Sequence, residues 1–387
     1  MTLDCAISAG RVHADPWAIT PRLGVTGYYY SNPTLASTGA TGTENIAALL
    51  DLPVTYDTDG FEFLVRPNGR LGNERGYYSL ASNYAHLDSS LQYSSDLGTA
   101  TLQGEVARDS SLYFAGGLDR GIGVRRDSDA TSADWTRSIT ERSQIALDAS
   151  WSEVHYDQSA NETGLVDYRY ITAGPTVSYS LTERDTLQVN GSATRYQSLN
   201  GISESKSDNF QLGYVRQLSE IWKLTANAGY SRSVNSEKIY FTIFTYNFYA
   251  GTYTTNQDAA TYSVNLSRQG EKFTLAAGAS RLLQPTGFAF LSRQDAITLG
   301  AAYKQSDRWD YVLTSTWQQA QTPEFRGEVF DARYLNSLFT VNWHWTEQWV
   351  VSLQASRITQ HYGPPTVDAS SNGVNLSIFR QFLRTDL

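Results

Sequence analysis

"SLTERDTLQVNGSATRY", residues 180–196, holds the two signals that decide the reading of the whole chain. After a short polar opening, Leu187, Val189, Gly191 and Ala193 fall on one face of an extended segment, and Gln188, Asn190, Ser192 and Thr194 fall on the other. Period two with one apolar and one polar face describes a strand between two different media, and helical spacing does not explain it. "WKLTANAGYS" (222–231), "TYSVNLS" (261–267), "KFTLAAGAS" (272–280), "AITLGAAY" (296–303) and "WVVSLQAS" (349–356) alternate in the same way. The opening also recurs, as "SITER" (138–142), "QLSEIW" (217–222), "RQGEKF" (268–273), "KQSDRW" (304–309) and "HWTEQW" (344–349).

Each repeat reads as two strands of about ten to fourteen residues, joined alternately by a short polar turn and a longer connection. "DTDG" (57–60) and "SSDLG" (94–98) complete the short turns; the long connections fall at 31–44, 72–82, 110–130, 157–164, 235–258, 284–291, 320–331 and 361–370. Nine hairpins between Trp17 and Leu383 give 18 strands, with 16 to 20 as the range. An even strand count, short turns at one end and long loops at the other describe an all-β fold: a transmembrane antiparallel up-and-down β-barrel. A propeller shares the repeat length, but its blades hold four short strands each, and these strands are too long and too few per repeat.

Composition agrees with a surface partly covered by lipid. Only 18% of the 387 residues are charged, against roughly a quarter in soluble domains, while 13% are aromatic, 25 of them Tyr. The net charge of −9 argues against a nucleic-acid partner. Cys5 is the one cysteine, which excludes a disulfide framework and a cysteine-based metal site. "CAISAGRVHA" (5–14) places Val12 and Ala14 as a signal-peptidase site would, so residues 1–14 read as the remnant of an export signal and 15–387 as the barrel.

The outward face can be followed from edge to edge. Trp222, Phe273, Trp309 and Trp349 follow the turns at one height, with Trp345 at the same level, as an interfacial aromatic girdle requires. At the far end the last apolar residue is succeeded or preceded by arginine: Arg108, Arg169, Arg195, Arg232, Arg281 and Arg357. Eight residues from Trp349 to Arg357 span about 26 Å of strand, or roughly 20 Å of height at a tilt of about 40°. These arginines are the candidate contacts to lipopolysaccharide phosphates, or they snorkel without a specific partner. Arg137 and Arg216 lie near the inner edge and depart from this pattern.

The other face lines the lumen. Asp51, Glu62, Arg66, Arg70, Asp88, Glu105, Asp134 and Asp148 come from the first half, and Lys223, Asn227, Asn265, Asn342 and Gln354 from the second. One side is therefore acidic with a few arginines, and the other is an amide and hydroxyl wall suited to sugars or small polar solutes. The uncharged aromatic stretch "KIYFTIFTYNFYAGTYTT" (238–255) fits three arrangements: an extended hairpin, an inward constriction, or a cover over another loop. His86, His155, His344 and His361 are spread over distant strands, and "GGLDRGIG" (116–123) lacks the lysine of a phosphate loop, so no catalytic residue, metal site or cofactor is expected.

Three stretches carry a family resemblance. "DSDATSADWTRSITERSQIALDASWSEVHY" (127–156) and "SLTERDTLQVNGSATRY" (180–196) repeat a turn followed by an alternating strand, and "WAITPRLGVTGYYYSNP" (17–33) reads as an opening strand. In these patterns the chain resembles the outer-membrane β-barrel porins associated with exopolysaccharide and PEP-CTERM (exosortase) gene clusters. Ser371, Gly373, Leu376 and Ile378 resemble the C-terminal signal read by the barrel-assembly machinery, with Leu376 in place of the usual aromatic. The resemblance implies an outer-membrane channel with periplasmic turns and extracellular loops, and a link to surface polysaccharide export. The alternatives are a nutrient or general porin and a surface scaffold; a barrel enzyme would need a cluster of His with Asp or Ser at one rim.

Overall fold

The turns explain why their sequences repeat. The Thr182 hydroxyl accepts hydrogen bonds from the Arg184 and Asp185 amides at 3.1 and 3.0 Å and donates to the Asp185 carboxylate at 2.7 Å. Thr140 accepts from the Arg142 and Ser143 amides, and Thr346 from those of Gln348 and Trp349. A hydroxyl that satisfies the next amides closes a tight reversal locally. The acids Glu141, Glu183 and Glu347 point to solvent instead. The hydroxyl shapes the turn and the acid solvates it. In the turn before Trp309, a hydrogen bond from Lys304, followed by its charge, lowers the pKa of the Asp307 carboxyl.

The computed structural model describes residues 16–33, 35–72, 83–110, 124–157, 165–243, 246–286, 291–321, 331–363, 367–383 and 385–386, with side chains omitted at 240–243, 246–248, 362–363, 367 and 385–386. The proposed export remnant at 1–14 and the glycine-rich stretch at 116–123 lie outside them. The strands are β1 (Trp17–Ile19), β2 (Arg22–Tyr30), β3 (Thr43–Asp51), β4 (Val54–Thr58), β5 (Phe61–Gly72), β6 (Tyr84–Ser95) and β7 (Gly98–Ser110). Next come β8 (Arg125–Ser138), β9 (Ser143–Tyr156), β10 (Tyr168–Ser180), β11 (Asp185–Ser198), β12 (Ser203–Gln217), β13 (Trp222–Ile243) and β14 (Tyr246–Gln269). The last are β15 (Phe273–Pro285), β16 (Leu291–Lys304), β17 (Trp309–Gln321), β18 (Asp331–His344), β19 (Trp349–Gly363), β20 (Val367–Gln381) and β21 (Thr385–Asp386).

Neighbours pair antiparallel in chain order, and β2 pairs with β20 to close the sheet. Three strands of the wall are split, β1 with β2, β3 with β4 and β20 with β21, so the 21 elements make 18 barrel strands. Proline causes two of the splits, since it has no amide proton for the ladder. Around Pro21 and Pro53 irregular bonds take over, from the Thr20 amide to the Pro53 carbonyl and from the Leu52 amide to the Pro67 carbonyl. At the closing seam, Gly24 lies opposite Phe379 and Gly373 opposite Tyr30. A Cβ on Gly373 would stand 2.4 Å from the Tyr30 ring, so this glycine makes the space its partner fills.

Residues on the outer face are apolar and exposed: Val25, Ile46, Phe210 and Leu212 are each more than half accessible. With no apolar cover among the described residues, this band is the surface that meets lipid. Two expectations need correction. The connection read at 235–258 is sheet, because β13 and β14 run for 22 and 24 residues, well beyond the length expected of each strand. Of the three arrangements offered for 238–255, the extended hairpin is the one formed, with a register shift next to Gly251, whose φ is +146°. The loop read at 110–130 is also shorter, since β8 begins at Arg125.

Candidate functional site: a lumen with two unlike walls

Strand register places Asp51, Glu62, Arg66, Arg70, Asp88, Glu105, Asp134, Asp148, Lys223, Asn227, Asn265, Asn342 and Gln354 on the face opposite the exposed apolar band, which in a closed barrel is the inner one. In the first wall, β1 to β9, they join a charged network. Arg66 grips Asp51 through two bonds of 2.7 and 2.8 Å, and Asn68 donates to Asp88 at 2.9 Å. The Arg70 guanidinium lies 3.9 Å from the centroid of the Tyr28 ring, a cation–π contact. Asp134 and Asp148 stand directly opposite each other on β8 and β9, a like-charge pair that concentrates negative potential on this wall.

The strongest pair in that wall was not picked out in the sequence. Arg126 donates twice to Asp109, at 2.9 and 2.8 Å, and both side chains are buried. His86 Nε2 stands 3.7 Å from Asp109, too far for a hydrogen bond. The other described histidines also pair with carboxylates: His155 with Glu153 and Asp167, His344 with Asp310, and His361 with Asp368.

The second wall, β10 to β20, has a different chemistry. Among the described residues, its inner positions below the outer arginine level carry charge only beside the turns, at Lys223, Lys304 and Asp310, and the stretch between is neutral. Amides and hydroxyls bond to each other across it, and some bonds skip a strand. Asn190 on β11 donates to Asn227 on β13 at 3.2 Å, passing over Gly213 on β12, where a Cβ would lie 2.2 Å from the Asn227 oxygen. Gln211 on β12 donates to Thr261 on β14 at 3.0 Å. Between them Gly229 has no room for a Cβ, which would sit 1.9 Å from the Phe210 carbonyl oxygen. Asn227 also donates to Ser263, Gln354 to Thr340 and Asn342 to Asp310.

The constriction comes from a hairpin that the sequence reading treated as an ordinary loop. β15 pairs with β14 only as far as Arg281 opposite Tyr262, yet it stays paired with β16 up to Pro285 opposite Leu291. Above Arg281 the β15–β16 hairpin leaves the wall and folds inward. Leu291 packs with Val154, Tyr168 and Tyr196, which belong to the far strands β9, β10 and β11. The Tyr196 hydroxyl donates to the Thr286 carbonyl at 3.1 Å, and Thr286 is fully buried. One signal was available: "RLLQPTGFAFL" (281–291) stays apolar past the arginine that marks the outer edge, where an exposed loop would turn polar.

On the outer face, Trp222, Phe273, Trp309 and Trp349 sit at the turn end. The Trp309, Trp343 and Trp345 rings stack in series at 6.0 and 6.1 Å. Arginines at this edge lie over the girdle, Arg268 over Phe273 and Arg380 over Trp349. Arg216, which departed from the arginine pattern, bonds to the Tyr214 hydroxyl beside Asp185. At the opposite edge most of the arginines are paired: Arg108 with Asp127, Arg169 with Glu153, Arg195 with Glu204, and Arg281 with Asp295. Arg232 lies opposite Asp208 and Asp258, and Arg357 opposite Ser337 and Asn372. Ser371 and Gly373 point inward and Leu376 and Ile378 outward on β20.

No family model matches the chain, and no curated protein sequence matches it. Solved structures resemble it in fold. OccK2 (OpdF) of Pseudomonas aeruginosa in complex with glucuronate is 11% identical, covering 95% of this chain and 98% of its own, with a TM-score of 0.47. OccAB3 of Acinetobacter baumannii is 12% identical, covering 95% of this chain and 99% of its own, with a TM-score of 0.45. The ferric-catecholate import receptor Fiu of E. coli K12 is 8% identical, covering 93% of this chain and 81% of its own, with a TM-score of 0.46.

Proposed function

We propose that the protein is an outer-membrane channel whose water-filled lumen passes small, uncharged, hydroxyl-rich solutes. The observation that carries this reading is the hairpin folded into a closed barrel with a polar inner face. A barrel of this strand number is too wide for side chains to fill, and the hairpin narrows it without replacing the polar lining. The neutral wall offers donors and acceptors to a solute that has shed part of its hydration, and acids on the charged wall outnumber arginines, which favours cations among ions. In this reading the turns face the periplasm, the hairpins face outward, and the outer arginines meet lipopolysaccharide phosphates. Arg357, with no carboxylate partner among the described residues, is the freest of them to do so. Ser371, Gly373, Leu376 and Ile378 are proposed to be read by the assembly machinery.

A conduit for surface exopolysaccharide uses the same lining but needs the hairpin to leave the lumen, so the infolded geometry favours small solutes. Single-channel recording in planar bilayers tests the proposal. Weakly cation-selective steps that neutral oligosaccharides interrupt are expected; a silent bilayer would make the protein a scaffold.

A further inference from the structure

Beneath the infolded hairpin lies a pocket of about 160 Å³, closed by Leu282, Leu283 and Gln284 on one side and lined by Ser192, Asn209 and Thr261 on the other. This is room for about five waters. Its polar groups are oriented but not used up. Gln211 donates to the Thr261 hydroxyl, which donates to Asn209 Oδ1, each at 3.0 Å. With its oxygen engaged, Asn209 turns its amide nitrogen away, and neither N–H has a partner among the described residues. The Ser192 hydroxyl and the Gln284 amide are likewise unpartnered there. No ionised side chain lines the pocket. Fixed donors on one wall, two leucines on the other and no charge suit a ligand with an apolar ring face and a rim of hydroxyls. A carboxylate would lose hydration here without gaining a cation.

We infer that this pocket is a subsite for one ring of a neutral polyhydroxylated solute, a hexose or a hexose unit of a longer chain. The ring face lies on Leu282, which shares its strand face with Gln284, and hydroxyls take the free donors of Asn209 and Gln284. The inference rests on the channel reading only in needing a wet lumen that solute can reach.

Saturation-transfer NMR on the detergent-solubilised full chain, with D-glucose and D-glucuronate as probes, tests it. Glucose should bind saturably and more tightly than glucuronate. Asn209→Leu should weaken glucose binding about tenfold and Gln284→Ala about threefold, as expected for one lost hydrogen bond each. If Asn209→Leu fails to reach the folded, heat-modifiable form, Gln284→Ala tests the same site from the hairpin side. Absence of saturable glucose binding, glucuronate binding as tightly as glucose, or unchanged binding in both variants would overturn the inference. Conductance measured on the same preparation separates the two readings: a conducting barrel without glucose binding loses the subsite alone, and a binding barrel without conductance keeps the subsite and loses the channel.

Discussion

The two walls of the lumen share one backbone plan and differ in how they satisfy their inward side chains. On β1 to β9 the inner face carries ion pairs such as Arg126 with Asp109 and Arg66 with Asp51. On β10 to β20 it carries neutral bonds such as Asn190 to Asn227, with glycines placed so that a bond can skip a strand. The hairpin packs Leu291 where the two walls meet, on Val154, Tyr168 and Tyr196. A neutral network can sit beneath a folded-in hairpin at low desolvation cost, whereas a charged one there would lose its water. The difference teaches that a covered stretch of wall either carries no charge, as under Leu282 to Gln284, or holds its charges in close pairs, as Arg126 with Asp109.

The largest expected effect comes from removing the hairpin. Replacing residues 284–292 with a two-residue turn should raise single-channel conductance about twofold or more, because the infolded segment is what narrows a wide bore. Unchanged conductance would mean that the hairpin does not limit the path. Next, Arg126→Ala leaves Asp109 buried without its partner and should cost about 3–5 kcal/mol in reversible urea unfolding. Asn227→Ala in the neutral wall should cost about 1–3 kcal/mol, so equal losses in the two walls would break the contrast between them. Smaller again, Asp134→Asn with Asp148→Asn removes the opposed carboxylates and should bring the potassium-to-chloride permeability ratio, read from reversal potentials, towards one. The smallest change is Thr182→Val, which removes a turn hydroxyl outside both walls and should cost about 1 kcal/mol in the same unfolding assay.

Much of this architecture was legible because barrel strands carry their environment in a two-residue period. Leu187 to Ala193 state which face meets lipid, and the same parity places Asp51 and Gln354 on the inner face. The turns were legible as repeats, although the part played by the hydroxyl of Thr140, Thr182 and Thr346 required their hydrogen bonds. The infolded hairpin was legible only as an apolar run past Arg281, which says that the segment is covered but not by what. Parity says which side of a strand faces inward but not when a strand leaves the wall, and nothing near Arg281 in the chain reports contact with Tyr196.

The sequence by itself determined a closed antiparallel barrel of 18 strands, its lipid face, its aromatic edge and the polar character of its bore, because alternation and turn chemistry are local. Only the tertiary structure decided that β13 and β14 continue as one long hairpin, that Arg126 is held by Asp109, and that the β15–β16 hairpin crosses the lumen to Tyr196. Each of these depends on which distant residues the closed sheet brings into contact, and a two-residue period holds no information about partners across the bore.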